Sequence, residues 1–127
     1  MIILNIDTSN NDFIALSLEK AGKIIKRKKV LARRRQAEKL LPAIATLLLV
    51  SKISLSKISK IKVEYRGSSF TSLRIGVLTA NALAYALGIE VETMVLDKKN
   101  LKKLKGFNLV LPKYDRDPEI KIAVSKL

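Results

Sequence analysis

The chain has 127 residues, a formal net charge of +14, no cysteine and no histidine. That length suits one domain burying about two-thirds of its unfolded surface, and without cysteine there is no disulfide framework, thiolate nucleophile or cysteine zinc site. Without histidine, hydrolytic triads and histidine-held metals are excluded too, and of the eleven acidic residues only Asp115, Asp117 and Glu119 lie close together, a trio that reads better as a solvated tail than as a metal cluster.

Met1 to Asp7 is a near-continuous apolar run, which predicts a strand covered on both faces at the centre of a sheet. It lacks the basic start, long apolar core and cleavage site of a signal peptide. Thr8 to Asn11 turns the chain. Phe13 to Leu18 and Ile24 to Leu31 predict two further strands joined at Ala21-Gly22-Lys23, an antiparallel meander whose third strand carries Lys26-Arg27-Lys28-Lys29 and belongs near an edge.

From Gln36 to about Val50 apolar residues recur at 37, 40, 41, 44, 45, 47, 48 and 49, which predicts the first helix. They cover about 200° of its surface, wider than docking on one sheet requires. The longest apolar run, Ala43 to Val50, is broken by Thr46 and far short of the roughly 20 residues that span a bilayer, so a soluble, cytoplasmic protein is expected.

Ser51 to Lys60 reads as a connector, and Ile61, Val63 and Tyr65 then alternate with Lys62 and Glu64 as a strand does. The stretch SSFTSLRIGV, Ser68 to Val77, tips into a second helix over Ser72 to Leu87, capped by Ser69 or Thr71 and ended at Gly88. Ile89, Val91, Thr93 and Val95 alternate as a last strand. The order β-β-β-α-β-α-β predicts an α/β fold with a mixed five-stranded sheet and two parallel crossovers.

Two features of this layout bear on function. The loops after the first and fourth strands should meet at the carboxyl ends of neighbouring strands, where open α/β sheets bind ligands. They carry Asp7, Thr8 and Ser9, and Gly67, Ser68, Ser69 and Thr71, candidates for a nucleotide or phosphate loop, although serine-rich turns cap helices as readily. The second helix is apolar nearly all round. Arg74 with Asn81 and Ser72 with Thr79 form narrow polar stripes between a face of Leu73, Val77, Ala80, Leu83, Ala84 and Leu87 and a face of Ile75, Leu78, Ala82, Tyr85 and Ala86. Such a helix is buried on more than one side. The basic clusters admit RNA contact or a compositional drift toward lysine, and the three Tyr and three Phe are not interleaved with them as a single-strand stacking platform requires.

Ile3 to Ser9 (ILNIDTS), Arg35 to Pro42 (RQAEKLLP), Ser69 to Gly76 (SFTSLRIG) and Ala86 to Glu90 (ALGIE) together resemble the bacterial TsaB (YeaZ) family of tRNA threonylcarbamoyladenosine biosynthesis proteins. Leu111 to Ile120 (LPKYDRDPEI) is similar to that family's extreme carboxyl terminus. The resemblance implies an actin-like/RNase H-like domain over residues 1–96, with 97–127 a shortened extension in place of the family's second domain. It further implies a non-catalytic scaffold that pairs with the subunit TsaD and works with the ATPase TsaE. In that setting threonylcarbamoyladenosine forms next to the anticodon of tRNAs reading ANN codons. No cofactor of its own is implied; ATP and metal belong to the partner subunits. TsaD-like proteins hold metal through H-x-x-x-H, which a chain without histidine lacks.

Pairing in the family runs through the two helices. The implied partner-binding residues are Leu41, Ile44, Ala45 and Leu48 on the first helix and Leu73, Val77, Ala80 and Ala84 on the second, with Arg35, Glu38 and Arg74 at the rim; alone, the chain is expected to form a homodimer through the same surface. Where the family has GPG this chain has Arg66-Gly67-Ser68, and Ser72 replaces a later glycine, which weakens a nucleotide role for that loop. The alternatives are a small basic RNA-binding protein of the same fold, or a vestigial ATP-binding protein using Asp7, Thr8 and Ser69.

Overall fold

The computed structural model describes residues 1–67, 70–94, 101–104, 107–110 and 113–114. Three strands open the chain, β1 (Ile2–Asp7), β2 (Phe13–Lys20) and β3 (Lys23–Leu31). Helix α1 (Gln36–Ser51), a 3-10 turn at Leu55–Lys57, strand β4 (Ile58–Val63), the two-residue strand β5 (Arg66–Gly67), helix α2 (Phe70–Leu87) and strand β6 (Glu90–Thr93) follow. Strands β3-β2-β1-β4-β6 form one five-stranded sheet. The first three are antiparallel, and β1, β4 and β6 are parallel. This is the mixed α/β architecture that the element order predicts, with β1 and β4 side by side.

The β2–β3 hairpin turns on Ala21 (φ 54°) and Gly22 (φ 78°), two consecutive residues with positive φ, a backbone whose twist matches that of the strands it joins. Both crossovers move the same way across the sheet, so right-handed connections put both helices on one face. Helix α1 packs over β2 and β3, and α2 over β1, β4 and β6. Beneath them Leu4, Ile6, Ile14, Leu16, Leu18, Ile61, Val63 and Val91 form the core, each fully buried side chain contributing about 1.5–3 kcal/mol.

Two expectations need correction. The apolar run at the start predicted a strand covered on both faces, yet β1 is two-sided. Leu4 and Ile6 face the helices, while Asn5 on the other face donates to Ser17 Oγ (3.0 Å) and Glu19 Oε1 (3.2 Å). That face is polar across the sheet, with Lys62 3.4 Å from Glu19 and Lys60 2.9 Å from Glu92. The connector expected to run to Lys60 instead enters β4 at Ile58, which is buried. An irregularity in the β1–β4 register near Ile2 and Ile3 breaks the two-residue alternation between Ile58 and Ile61 and hides the strand's start.

Further along lie β7 (Leu101–Leu104), β8 (Phe107–Val110) and β9 (Lys113–Tyr114). Strands β7 and β8 pair as an antiparallel hairpin, and β9 runs parallel to β5. Strand β8 packs against β6 and α2. Asn81 of α2 fastens it, its amide donating to Val110 O and accepting from Val110 N, each at 3.0 Å. A polar stripe on the helix wheel thus serves an internal clamp. The expected domain boundary at residue 96, Val95 of the last strand and most of the LPKYDRDPEI segment lie outside the described residues.

Candidate functional site

At the carboxyl ends of β1 and β4 the two predicted loops meet. Thr8, fully buried, donates from Oγ1 to Ser72 O at 2.6 Å. Ser72 Oγ lies 3.2 Å from Asn11 Oδ1, and the buried Gln36 side chain donates to Asn11 O, so the loop after β1 is tied to the first turns of both helices. Asp7 Oδ1 accepts from Ser9 N (2.9 Å) and Ser9 Oγ (2.6 Å). Gly67 runs so close to the loop that a Cβ there would lie 3.2 Å from Ser9 Cβ.

Of the hydroxyls expected at a phosphate, those of Thr8 and Ser9 are engaged with the protein itself. Thr71 sits in the first turn of α2 instead of capping it, because the helix begins at Phe70; Ser68 and Ser69 are outside the described residues. A second carboxylate, which no sequence motif marks, is Glu64: it follows β4 as Asp7 ends β1, and its N–H donates to Ile6 O at 2.9 Å. The signal for it was positional: both acids end neighbouring parallel strands. Burial first, and the Asp7 charge second, push the Glu64 carboxyl above its usual range, while Arg66, 3.8 Å away, opposes them. Two acids at this end of the sheet repel a phosphate unless a cation lies between them.

The sign of the pH effect follows. With its folded pKa raised, Glu64 contributes stability that is fully present below the unfolded carboxylate pKa and is lost as pH rises through the folded one. Glu64→Gln is expected to raise the urea midpoint at pH 7 and to lose that advantage below about pH 4.3. A lower midpoint at pH 7 would mean that the Arg66 pair outweighs burial.

The helices divide their apolar surface cleanly. Ile44, Leu48, Val77, Ala80 and Ala84, expected to bind a partner, are buried in the core, and Leu73, expected to do the same, is buried beside Gly67. Leu41 is exposed, as are Ala45 and the rim residues Arg35, Glu38 and Arg74. The outward stripe runs through Leu41, Ala45 and Leu49 on α1 and Leu78, Ala82 and Tyr85 on α2, with Leu49 80 %, Leu78 60 % and Tyr85 63 % exposed. Because α1 and α2 lie side by side on one face of the sheet, the two stripes form a single outward surface. Large apolar groups gathered at such a surface mark an interaction site. No helix among the described residues is long and apolar enough to cross a membrane.

The sheet order, the paired crossover helices and the polar far face define an RNase H-like domain, and two structures fix its relatives. YeaZ from Pseudomonas aeruginosa superposes with a TM-score of 0.67 at 28 % identity, over 76 % of this chain and 44 % of that one. A second P. aeruginosa structure, described as an uncharacterized protein with similarity to peptidase YeaZ, gives the same score and identity over 76 % and 43 %. Thermus thermophilus RuvC, solved with a Holliday junction substrate, aligns at TM-score 0.52 with 10 % identity over 73 % of this chain and 63 % of that one, which shows the shared fold alone. No curated protein matches significantly. The family model described as "TsaD: tRNA N6-adenosine threonylcarbamoyltransferase" matches residues 27–95, more than half of the chain. The chain belongs to that family, and the likeness to YeaZ bears out the TsaB (YeaZ) resemblance read in its motifs. It spans less than half the length of the YeaZ structures it matches.

Proposed function

We propose that this chain is a non-catalytic subunit that docks on TsaD and supports formation of threonylcarbamoyladenosine next to the anticodon of tRNAs reading ANN codons. The observation that carries the reading is the outward stripe of Leu41, Ala45, Leu49, Leu78, Ala82 and Tyr85, an apolar two-helix surface in a chain of this family. Arg35, Glu38 and Arg74 rim it. The partner is expected to supply a matching helical surface, giving a bundle, and a second copy of this chain is expected to take its place when TsaD is absent. ATP and metal chemistry are assigned to TsaD and TsaE, since this chain has no histidine and its Thr8 and Ser9 hydroxyls hold its own loops together.

Reconstitution tests the proposal. TsaD and TsaE supplied with tRNA, threonine, bicarbonate, ATP with magnesium, and an enzyme that activates the threonine carbamate are expected to form the modified nucleoside only when this chain is added. Equal modification without it overturns the scaffold role.

A further inference from the structure

About a third of the chain's 25 Lys and Arg lie in one segment next to the first helix. Residues 23–35 hold eight Lys and Arg and no acid, and four of the chain's seven arginines, Arg27, Arg33, Arg34 and Arg35, lie within nine residues. Drift toward lysine does not account for clustered arginine, the side chain whose planar fork suits phosphate oxygens.

Position and pairing single the segment out further. Strand β3 is the open edge of the sheet, and every residue from Lys23 to Arg27 is exposed. Lys26 and Lys28 stand opposite Leu18 and Leu16, while Arg27 and Lys29 stand opposite Ser17 and Ala15, so cations project on both faces of the edge. On the polar face of the sheet, by contrast, Lys60 and Lys62 are each matched to a glutamate. Among the described residues the only ion pair made by residues 23–35 is Arg33 with Asp12, at 3.8 Å with both side chains more than half exposed.

The row continues past β3. Arg33 and Arg34 wall a groove of about 890 Å³ that also takes in Asn11, Gln36 and Thr71 beside the first turns of α1 and α2. Nine residues of β3 extend about 30 Å, close to one turn of a nucleic acid duplex.

From this ridge of cations along an exposed sheet edge, where Arg33 has a solvent-exposed ion pair with Asp12 and Lys29 lies 4.4 Å from the Phe13 ring centroid, we infer that the protein binds structured RNA through its phosphate backbone, with β3 lying along the RNA and Arg33 and Arg34 gripping its end. An acidic protein fits less well, because the cations follow a straight strand at a regular spacing of about 6.6 Å per face, as phosphates along a backbone do. Residues 23–35 contain no aromatic side chain, so the contacts fall on phosphates and recognition is independent of sequence. Apart from Arg35, which also rims the helical docking face, the cations of the ridge lie outside that face, and the inference does not depend on it.

Fluorescence anisotropy of the full chain with two 16-base-pair RNA duplexes of unrelated sequence, and with a tRNA transcript, tests this between 50 and 200 mM KCl. All three are expected to bind with similar affinity that falls steeply with salt. Lys26→Gln with Arg27→Gln is expected to weaken binding about tenfold or more at the lower salt and to reduce the salt slope by about 1.5. An equal loss of charge by Lys52→Gln with Lys57→Gln should change neither. Equal effects of the two pairs, binding of only one duplex, or capture by polyglutamate or anionic phosphatidylserine vesicles with none by RNA would each overturn the assignment. Copurification of the ridge variant with TsaD tells its failure apart from failure of the docking face.

Discussion

Leu49→Glu combined with Leu78→Glu is expected to weaken association with TsaD by at least about 100-fold while leaving the circular dichroism and urea midpoint of the free chain near those of the parent. Both side chains stand mostly in water, so a carboxylate at either position is solvated and costs the fold little. Docking changes that balance. Covering the two-helix surface would strip water from both charges, with only the rim residue Arg74 and the helix-end Lys52 a turn away to meet them, and a buried charge that is poorly paired costs several kcal/mol. Central apolar anchors carry most of the affinity at such surfaces, commonly about 2 kcal/mol or more each.

The buried face supplies the control. Ala80 has no exposed surface, and Ala80→Glu is expected to unfold the chain, losing the partner for a trivial reason. Association that survives the Leu49 and Leu78 changes overturns the docking face. Loss of association with a collapsed dichroism spectrum would instead show that the stripe belongs to the core.

Gly76→Ala is expected to destabilise the chain by about 2–4 kcal/mol, read as a fall in the urea midpoint. The glycine is needed here for space and not for its backbone angles. A Cβ would overlap Thr8 Oγ1 and lie 3.2 Å from Thr8 Cβ and Cγ2. Thr8 cannot swing aside cheaply, since it is fully buried and its hydroxyl holds Ser72 O, so the added methyl either forces α2 off β1 or breaks a buried hydrogen bond. The double-mutant cycle gives a sharper check. In a Thr8→Ala background the same change should cost clearly less, and additive costs would place the strain elsewhere.

This contact explains part of what could be read beforehand. The glycine of SFTSLRIG and the threonine of IDTS stand far apart in the chain, and both mark the one place where α2 crosses the end of β1. Element order was legible because each period was clean: alternation in β2 and β6, and helical spacing from Gln36 onward. The inward face of α2 was not legible, because two nearly equal apolar faces flank narrow polar stripes and nothing local says which stripe is wet. Asn81 settles it by clamping Val110, a contact across 29 residues that no wheel displays. The mate of Asp7 was hidden for a similar reason. Glu64 looks like one more outward residue in the alternation after Ile61 until the parallel pairing brings it beside β1.

The cations of β3 have one more consequence. An edge strand presents a row of unsatisfied amides and carbonyls to any other strand of suitable length, and this one also exposes Ile24, Ile25 and Leu31. Two copies meeting edge to edge would bring Lys26, Arg27 and Lys29 of each within a few ångströms of the same residues in the other, and mutual repulsion keeps the sheet from growing into a ten-stranded continuation. Variants that neutralise the whole edge should therefore turn concentrated solutions cloudy, and salt high enough to screen the charges should do the same to the parent chain.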